Sequence, residues 1–538
     1  MAPAAPNAAT SQVVQLAGER PAARSARCAW ILCGLLLLTA AVRLPGVNRP
    51  LTGNFATKNV IYAMIARNWA ESRAPAWLPT VDCIQGGERG WHLLEVPVSA
   101  YLSGLAWRSC GGSLDAWGRL TSVAFSVVAV ALLYLLVARW HGSVAAAGAG
   151  AVLALSPVSI IFGQSFMLEA SLVAFTLATF YCLDVWLAAG CNRWLVLAAV
   201  GLALAVLTKI YMLVLLAPLS AMVWQARRTM AVSTRRRRWL LAGAAAIVAA
   251  APGLGWFAMA MRLGAPGRPL SERVYYSVHQ STSDHPMPHP LLSTPDFYRQ
   301  LMDDLAGPAL TPIGLLLVMA GCLHPAGRRH AIWLAAMAGL VVLLPAKFYA
   351  MNYYYLVVLP PLCVMAGLGW HLVHERLGPG RVATAALLLA GLAFSMRHAA
   401  KPAFSTPEED RSVVVGAAGL DEVAGPQELV VTVHGSAPDL LYYCNRPGWA
   451  LSAASEDLDR QLAEAERQGA RWLVVAGLDQ ASSPATRSRL DQMAVVRTGH
   501  DFRVYRLCAA DSFPLLALPA GTGTGTSTAR ESGAAGRR

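Results

Sequence analysis

Charge is what this chain has least of. Only 14% of its 538 residues are Asp, Glu, Lys or Arg, while 55% are hydrophobic; a soluble domain carries about a quarter charged residues. That scarcity excludes an ordinary water-soluble enzyme and predicts a polytopic membrane protein. Metal and redox spacings are missing too: the ten cysteines form no Cys-x-x-Cys or Cys/His pattern. Several of them fall in apolar runs, where cysteine acts as a small hydrophobe. A basic face with interleaved aromatics is also absent, so the net charge of +13 does not mark a nucleic-acid surface. No internal repeat is visible, and polar residues avoid the middle of the apolar runs. Both absences weigh against a transporter or lipid flippase built from inverted repeats.

Long apolar runs are abundant. They fall near 28–45, 117–138, 144–162, 168–189, 194–207, 211–226, 239–261, 309–323, 331–345, 353–373 and 382–397, which predicts about eleven spans, several of them short for a crossing of roughly 17–25 residues. The first run ends in Arg43-Leu44-Pro45 rather than in small residues, so it reads as an uncleaved span and not a signal peptide. Alternate loops then carry the basic clusters: ARWHG (138–142), RRTMAVSTRRRR (227–238), HPAGRRH (324–330) and HERLGPGR (374–381). Such an excess of Arg belongs on the cytoplasmic side. The opposite loops, 46–116, 163–169, 262–308 and 345–354, are mixed in charge and rich in acids or His.

The fold class expected is mainly α: a polytopic helical membrane protein with external juxtamembrane helices and a small C-terminal α/β domain. The divisions are a cytoplasmic tail (1–27), a transmembrane domain (28–398), an external α/β domain (399–510) and a disordered, low-complexity tail (511–538). In the third, ELVVTVHG (428–435), RWLVVAG (471–477) and FRVYRL (502–507) read as strands, and DLDRQLAEAERQG (457–469) as an amphipathic helix. Cys83 and Cys110 share one external loop, and Cys444 and Cys508 share the C-terminal domain. Either pair suits a disulfide in an oxidising compartment, and the sequence leaves both open.

Charges at the mouths of spans are where chemistry is sought, because each is costly there. The first loop holds ATKNVIYAMIARNW (56–69), read as an amphipathic helix lying in the interface, with Lys58 one turn from Tyr62. WHLLEVP (91–97) places Glu95 before a second apolar helix. Glu169 is the one acid between two consecutive spans, Lys209 interrupts AVLTKIYM (205–212), and Lys347 precedes Tyr349, Tyr353, Tyr354 and Tyr355. Each has a plainer explanation: snorkelling to headgroups for the lysines, a helix-start acid for Glu95, an interfacial aromatic belt for the tyrosines. Together they set cations, carboxylates and hydroxyls on one membrane face, an arrangement that suits a phosphate-linked lipid and an acceptor hydroxyl that must lose a proton.

YAMIARNW (62–69), LLEVPVSAYL (93–102), GRLTSVAFSVVAVALLYLLVAR (118–139), ALSPVSIIFGQSFMLEASLVAF (154–175), LAVLTKIYMLVLLAPL (204–219) and NYYYLVVLPPL (352–362) carry a resemblance over about residues 30–400. In order and spacing the chain resembles membrane glycosyltransferases of the C superfamily, in the branch of bacterial aminoarabinose transferases and protein O-mannosyltransferases. The resemblance implies transfer of a sugar from a polyprenyl-phosphate donor to a lipid, glycan or protein acceptor on the external face of a bacterial inner membrane. It also implies an acidic group that activates the acceptor and cations that stabilise the departing phosphate. Many relatives begin the first-loop helix with an Asp-Glu pair, where this chain has Lys58-Asn59, and follow the second element's Glu with Lys-Pro, where it has Val96-Pro97. On that basis Glu169 or Glu95 is expected to be the base. Lys58, Lys347, Tyr353, Tyr354 and Arg273 are expected on the donor phosphate, with Arg262 a weaker candidate. His279, His285 and His289 are expected to cap the site; no cofactor is assigned, and a divalent metal is left open. The departures keep a catalytically inactive relative, acting as a scaffold through its α/β domain, as an alternative.

Overall fold

The computed structural model describes residues 21–53, 55–227, 232–277, 289–377, 380–404, 408–435, 437–453, 455, 457–477 and 490–507. Apolar helices dominate it. Among the described residues five are long and apolar enough to cross a membrane: Leu114–Leu155, Glu169–Ala189, Thr234–Leu263, Asn352–Arg376 and Val382–Ala399. A sixth arises if Pro295–Ala309 and Thr311–Leu323, bent by 105°, count as one. The expectation of a mainly helical polytopic membrane protein therefore stands, with five to six long apolar helices. Other apolar runs fold into shorter helices, Cys28–Ala41, Asn192–Thr208 and Ile210–Ala226, which is why length and composition license fewer spans than the runs in the sequence suggest.

The longest helix is not continuous. Forty-two helical residues would reach about 63 Å, twice the ~30 Å hydrocarbon core, and Leu114–Leu155 breaks at Gly142, whose φ of 85° is non-helical. A residue with a Cβ is strained there. Helix Tyr355–Leu377 is central and packs on Leu114–Leu155 and on Thr311–Leu323. The second contact is backbone to backbone: a Cβ on Gly369 would lie 1.9 Å from the Leu317 carbonyl oxygen, and one on Gly321 1.9 Å from that of Met365. Close approach through small residues is the usual currency of helix association in lipid. By contrast Leu240, Ile247 and Val248 are well exposed on Thr234–Leu263, as a lipid-facing surface requires.

Eight strands form one sheet in the order β3-β2-β1-β5-β4-β6-β8-β7. Three come from the loops between apolar helices: β1 (Thr80–Gln85), β2 (Glu88–Leu93) and β3 (Val274–Ser277). The other five belong to the C-terminal region: β4 (Val430–Val433), β5 (Gly448–Leu451), β6 (Trp472–Ala476), β7 (Val495–Gly499) and β8 (Phe502–Arg506). Strands β4, β6 and β8 and helix Leu458–Arg467 are where the alternation in the sequence places them. The joining of the two sets was not legible, because β1 meets β5 at a single pair, Cys83 and Gly448. Only glycine fits at 448, since a Cβ would come within 1.9 Å of the Val430 carbonyl oxygen.

Side chains reinforce that junction. The Asp115 carboxylate accepts hydrogen bonds from the Tyr442 and Tyr443 hydroxyls at 2.6 and 2.7 Å. Arg67 donates to the Tyr442 carbonyl at 3.0 Å and to Asp82 at 2.7 Å, and its guanidinium lies over the Tyr442 ring at 4.6 Å. Asp82 also accepts from Asn68 and Arg89, each at 3.1 Å. Helix Ala56–Ala70 is consequently buried on almost every side, and this corrects the reading of an amphipathic helix lying in the interface. Helix Val98–Cys110, β1 and helix Asp439–Cys444 enclose it, so Arg67 and Asn68 face protein partners and not headgroups. Cys83 is buried and Cys110 exposed, both as free thiols; Cys508 lies outside the described residues.

Candidate active site

Four segments far apart in sequence converge on one buried carboxylate. Helix Ala56–Ala70 starts from Phe55, a non-glycine residue in the left-handed region at φ 61°. Its ring is held edge-on by Phe162 at 5.1 Å and Tyr353 at 5.6 Å. Strained backbone of this kind persists only where its surroundings fix it, and here it aims the helix's first turn. Lys58 and Tyr62, four residues apart and so on one face, point at the end of β2. There His92 precedes Glu95, and the Val96 amide donates to the Leu207 carbonyl at 3.1 Å. That single backbone bond ties the Glu95 loop to the end of helix Asn192–Thr208, whose next residue is Lys209. Glu169 opens helix Glu169–Ala189, where the positive end of the helix dipole suits an acid. The turn before it is pinned by Arg119 on the Gln164 carbonyl at 3.2 Å and by Ser122 on that of Ser165 at 2.6 Å.

At the centre, Glu95 Oε1 accepts a short hydrogen bond from the Tyr62 hydroxyl. The same oxygen lies 3.4 Å from Lys209 Nζ, 3.8 Å from Lys58 Nζ and 3.8 Å from His92 Nε2. Lys209 Nζ is also 4.0 Å from Glu169 Oε1. Glu95, Glu169 and His92 are almost wholly buried, Lys209 nearly so, and the Lys58 side chain keeps 19% of its exposure. Several atoms have no hydrogen-bond partner here: Glu95 Oε2, Glu169 Oε2, and both ring nitrogens of His92. Buried polar atoms are usually satisfied, so this concentration marks a place built to meet something else.

Electrostatics follow from the packing. Burial would raise the Glu95 carboxyl, but the Lys209 and Lys58 ammoniums and His92 outweigh it and hold the group well below the usual carboxylate range. Burial pulls Lys58 down from its ordinary value, with Glu95 opposing. His92 is likewise lowered by burial, against the pull of Glu95, and so stays neutral. Burial and the adjacent Glu95 charge raise Tyr62 well above the phenol range, keeping it a donor.

The remaining expected residues divide. Tyr353 and Tyr354 stack on each other at 4.9 Å, and Tyr354 lies 6.0 Å from the Tyr211 ring, on the same side of the bundle as the cluster. Lys347, on the short helix Pro345–Ala350, is near enough to repel Lys58. Arg273 is elsewhere. It pairs with Glu88 at 2.6 Å and covers the Trp91 ring at 4.4 Å, and Trp91 and His92 leave β2 on opposite faces. It lines a separate cleft of about 490 Å³ with Arg73, Arg89 and Trp91. Arg262 ends helix Thr234–Leu263, whose Ala260 and Leu263 pack against Trp91 and Val274. His289 accepts from the Leu291 amide at 3.1 Å; His279 and His285 lie outside the described residues. Among the described residues no three His, Cys, Asp or Glu side chains converge as metal ligands. Three members of the cluster were not on the expected list of site residues: Lys209, Tyr62 and His92. Their signal was available in Lys209 as the lone charge of its apolar run, and in His92 three residues before Glu95.

Residues 95–256 match the family model described as dolichyl-phosphate-mannose-protein mannosyltransferase, a segment that includes Glu95, Glu169 and Lys209. Comparison of the sequence with curated proteins finds no match. The fold is similar to that of ArnT from Cupriavidus metallidurans, solved bound to undecaprenyl phosphate, with a TM-score of 0.56 and 15% identity over 92% of this chain and 100% of that one. It is also similar to the Archaeoglobus fulgidus oligosaccharyltransferase, solved in complex with Zn and sulfate, with a TM-score of 0.53 and 14% identity over 83% of this chain and 68% of that one. The same archaeal enzyme, AglB, in complex with an inhibitory peptide and a dolichol-phosphate, gives 0.50 and 13% over 84% and 69%. The resemblance read from the sequence holds at the level of the fold.

Proposed function

We propose that the chain is an integral-membrane glycosyltransferase that moves a sugar from a polyprenyl-phosphate carrier to a hydroxyl of a lipid, glycan or protein acceptor. The observation that carries this reading is the convergence of Lys58, Lys209, Glu95 and Glu169 at one buried point beside Tyr62 and His92. A carrier phosphodiester brings one negative charge. Lys58 and Lys209 are the ammoniums at this point that could receive it, and Lys347 is near enough to repel Lys58. Lys58, more open than Lys209, meets the phosphate first, with the Tyr353 and Tyr354 hydroxyls alongside. Arg273, paired on the far face of β2, has no part in this set.

The reaction is a displacement at the sugar's anomeric carbon. The acceptor oxygen bonds to that carbon, the carbon–oxygen bond to phosphate breaks, and the polyprenyl phosphate leaves with the electron pair. The ammoniums offset the charge that develops on it, where a low-dielectric surrounding magnifies their effect. Three groups at the cluster have an atom without a hydrogen-bond partner that could take the acceptor's proton: Glu95 and Glu169, each at Oε2, and the His92 ring. The basic loops and the apolar runs support eleven crossings of a bacterial inner membrane with this site and the C-terminal domain outside; the break at Gly142 and the shorter apolar helices fit that count. Mass spectrometry of glycolipids and glycoproteins from cells with and without the gene tests the reading. A sugar modification that disappears with the gene is expected, and identical profiles under conditions of verified expression would refute it.

A further inference from the structure

We propose that His92 takes the proton from the acceptor hydroxyl, with Glu95 as the anion that stabilises the imidazolium so formed. The proposal rests on the transferase reading and names the base that it leaves open. His92 has no hydrogen-bond partner on either ring nitrogen, although only 1% of its side chain is exposed. Leaving such a group unsatisfied is costly, so the site retains it for a partner that arrives. Its ring is fixed by stacking on Tyr276 at 5.8 Å and by the edge of Tyr62 at 6.2 Å. The groups that face it are Lys58 and Tyr62 from the first-loop helix, Tyr276 from β3, Glu95 from its own loop, and Lys209.

The pairing of Glu169 favours the imidazole as the base. Glu169 is already matched to the Lys209 ammonium, and proton uptake would break that match. The charges in the step also balance. When the acceptor's proton moves to the His92 ring, the site gains one positive charge. In the same step the phosphodiester becomes a phosphomonoester and gains one negative charge. The sum inside the buried site is unchanged whichever base takes the proton, but protonating Glu169 removes a negative charge that stands 4.0 Å from Lys209. Glu95, 3.8 Å from His92 Nε2, is placed as the carboxylate that steadies an imidazolium.

The test uses the full-length protein in lipid nanodiscs with undecaprenyl-phosphate-linked mannose, arabinose and aminoarabinose, reading release of undecaprenyl phosphate in the presence of membrane acceptors. Wild-type kcat/KM is expected to fall on the acid side through a single ionisation below the ordinary imidazole value of about 6.5, because burial lowers His92 and only the neutral ring accepts a proton. His92→Gln is expected to lose about 10²–10⁴-fold, to lose that acid limb, and to bind undecaprenyl phosphate as wild type does. Glu169→Gln is expected to keep the limb. A wild-type profile that stays flat from pH 7 down to the acid limit of the folded enzyme, or a His92→Gln enzyme that is within fivefold of wild type or keeps the limb, overturns the assignment without touching the transferase reading. No turnover by the wild type on any of the three donors overturns both.

Discussion

Lys209 is the cation on which the site's charge balance turns, and its removal has a calculable consequence. It stands 3.4 Å from Glu95 and 4.0 Å from Glu169. At an effective dielectric constant of about 20 those pairs are worth roughly 5 and 4 kcal/mol of gross attraction. The lysine's own burial returns several kcal/mol of that when it is deleted. The net cost of Lys209→Met is therefore set at about 3–5 kcal/mol, the usual figure for stripping one partner from a buried ion pair. Part of it is relieved if a carboxylate takes up a proton.

That relief gives the prediction its sign. In the wild type Glu95 is held below the usual carboxylate range. Its contribution to stability is present above an unfolded pKa near 4.3 and is lost as pH falls below that. In Lys209→Met the two buried carboxylates face one cation fewer, so the folded state binds a proton more tightly than the unfolded chain, and stability rises as pH falls toward 5. Thermal unfolding in detergent, followed by tryptophan fluorescence, is expected to show Tm several degrees below wild type at pH 7.5 and a gap that narrows by pH 5.5. Lys209→Arg is expected to lose less. A Tm equal to wild type at pH 7.5, or a gap independent of pH, would refute the placement of Lys209 between the two acids.

Lys58→Ala is expected to raise the donor KM about 10–100-fold with a smaller change in kcat, because an ammonium that binds phosphate equally in ground and transition states acts on KM; steady-state kinetics against donor concentration checks it. Asp115→Asn removes the charge that accepts from Tyr442 and Tyr443, and limited proteolysis is expected to cleave the C-terminal region faster by about tenfold, in keeping with charged hydrogen bonds of about 1.5–3 kcal/mol. Gly369→Leu drives a side chain into the Leu317 backbone; the yield of monodisperse protein on size exclusion is expected to collapse, while Gly255→Leu, where a Cβ meets nothing within 4 Å, is expected to be tolerated.

How much of this could be read from the chain depends on the range of the forces involved. Apolar runs and the β4, β6 and β8 segments are local patterns, and the structure builds its helices and these strands from them. Glu95, Glu169 and Lys58 were legible because a charge at the mouth of a span is costly and so conspicuous. Lys209 was equally conspicuous, but snorkelling explains a single lysine at a span end. What distinguishes it is the Val96–Leu207 backbone bond, which no side-chain pattern reports. The burial of helix Ala56–Ala70 was hidden for a related reason. Its partners, Asp82 and Tyr442, lie 15 and 375 residues from Arg67, and a helix with Lys, Asn and Arg among apolar residues has the same periodicity whether lipid headgroups or a protein domain satisfy them.

The eight-stranded sheet explains why these polar groups can be buried at all. A loop between two membrane spans has few means of holding a carboxylate away from water. Here β1 and β2 are completed on one side by β3 and on the other by β5 of the C-terminal region, so the backbone of the first loop is satisfied internally and its two ends are fixed. Arg67 spends its donors on that junction, while Lys58, two and a half turns earlier on the same helix, is left to the site. One helix thus divides its cations between architecture and chemistry. The division places Lys58, Glu95 and Lys209 at the seam between the apolar helices and the sheet.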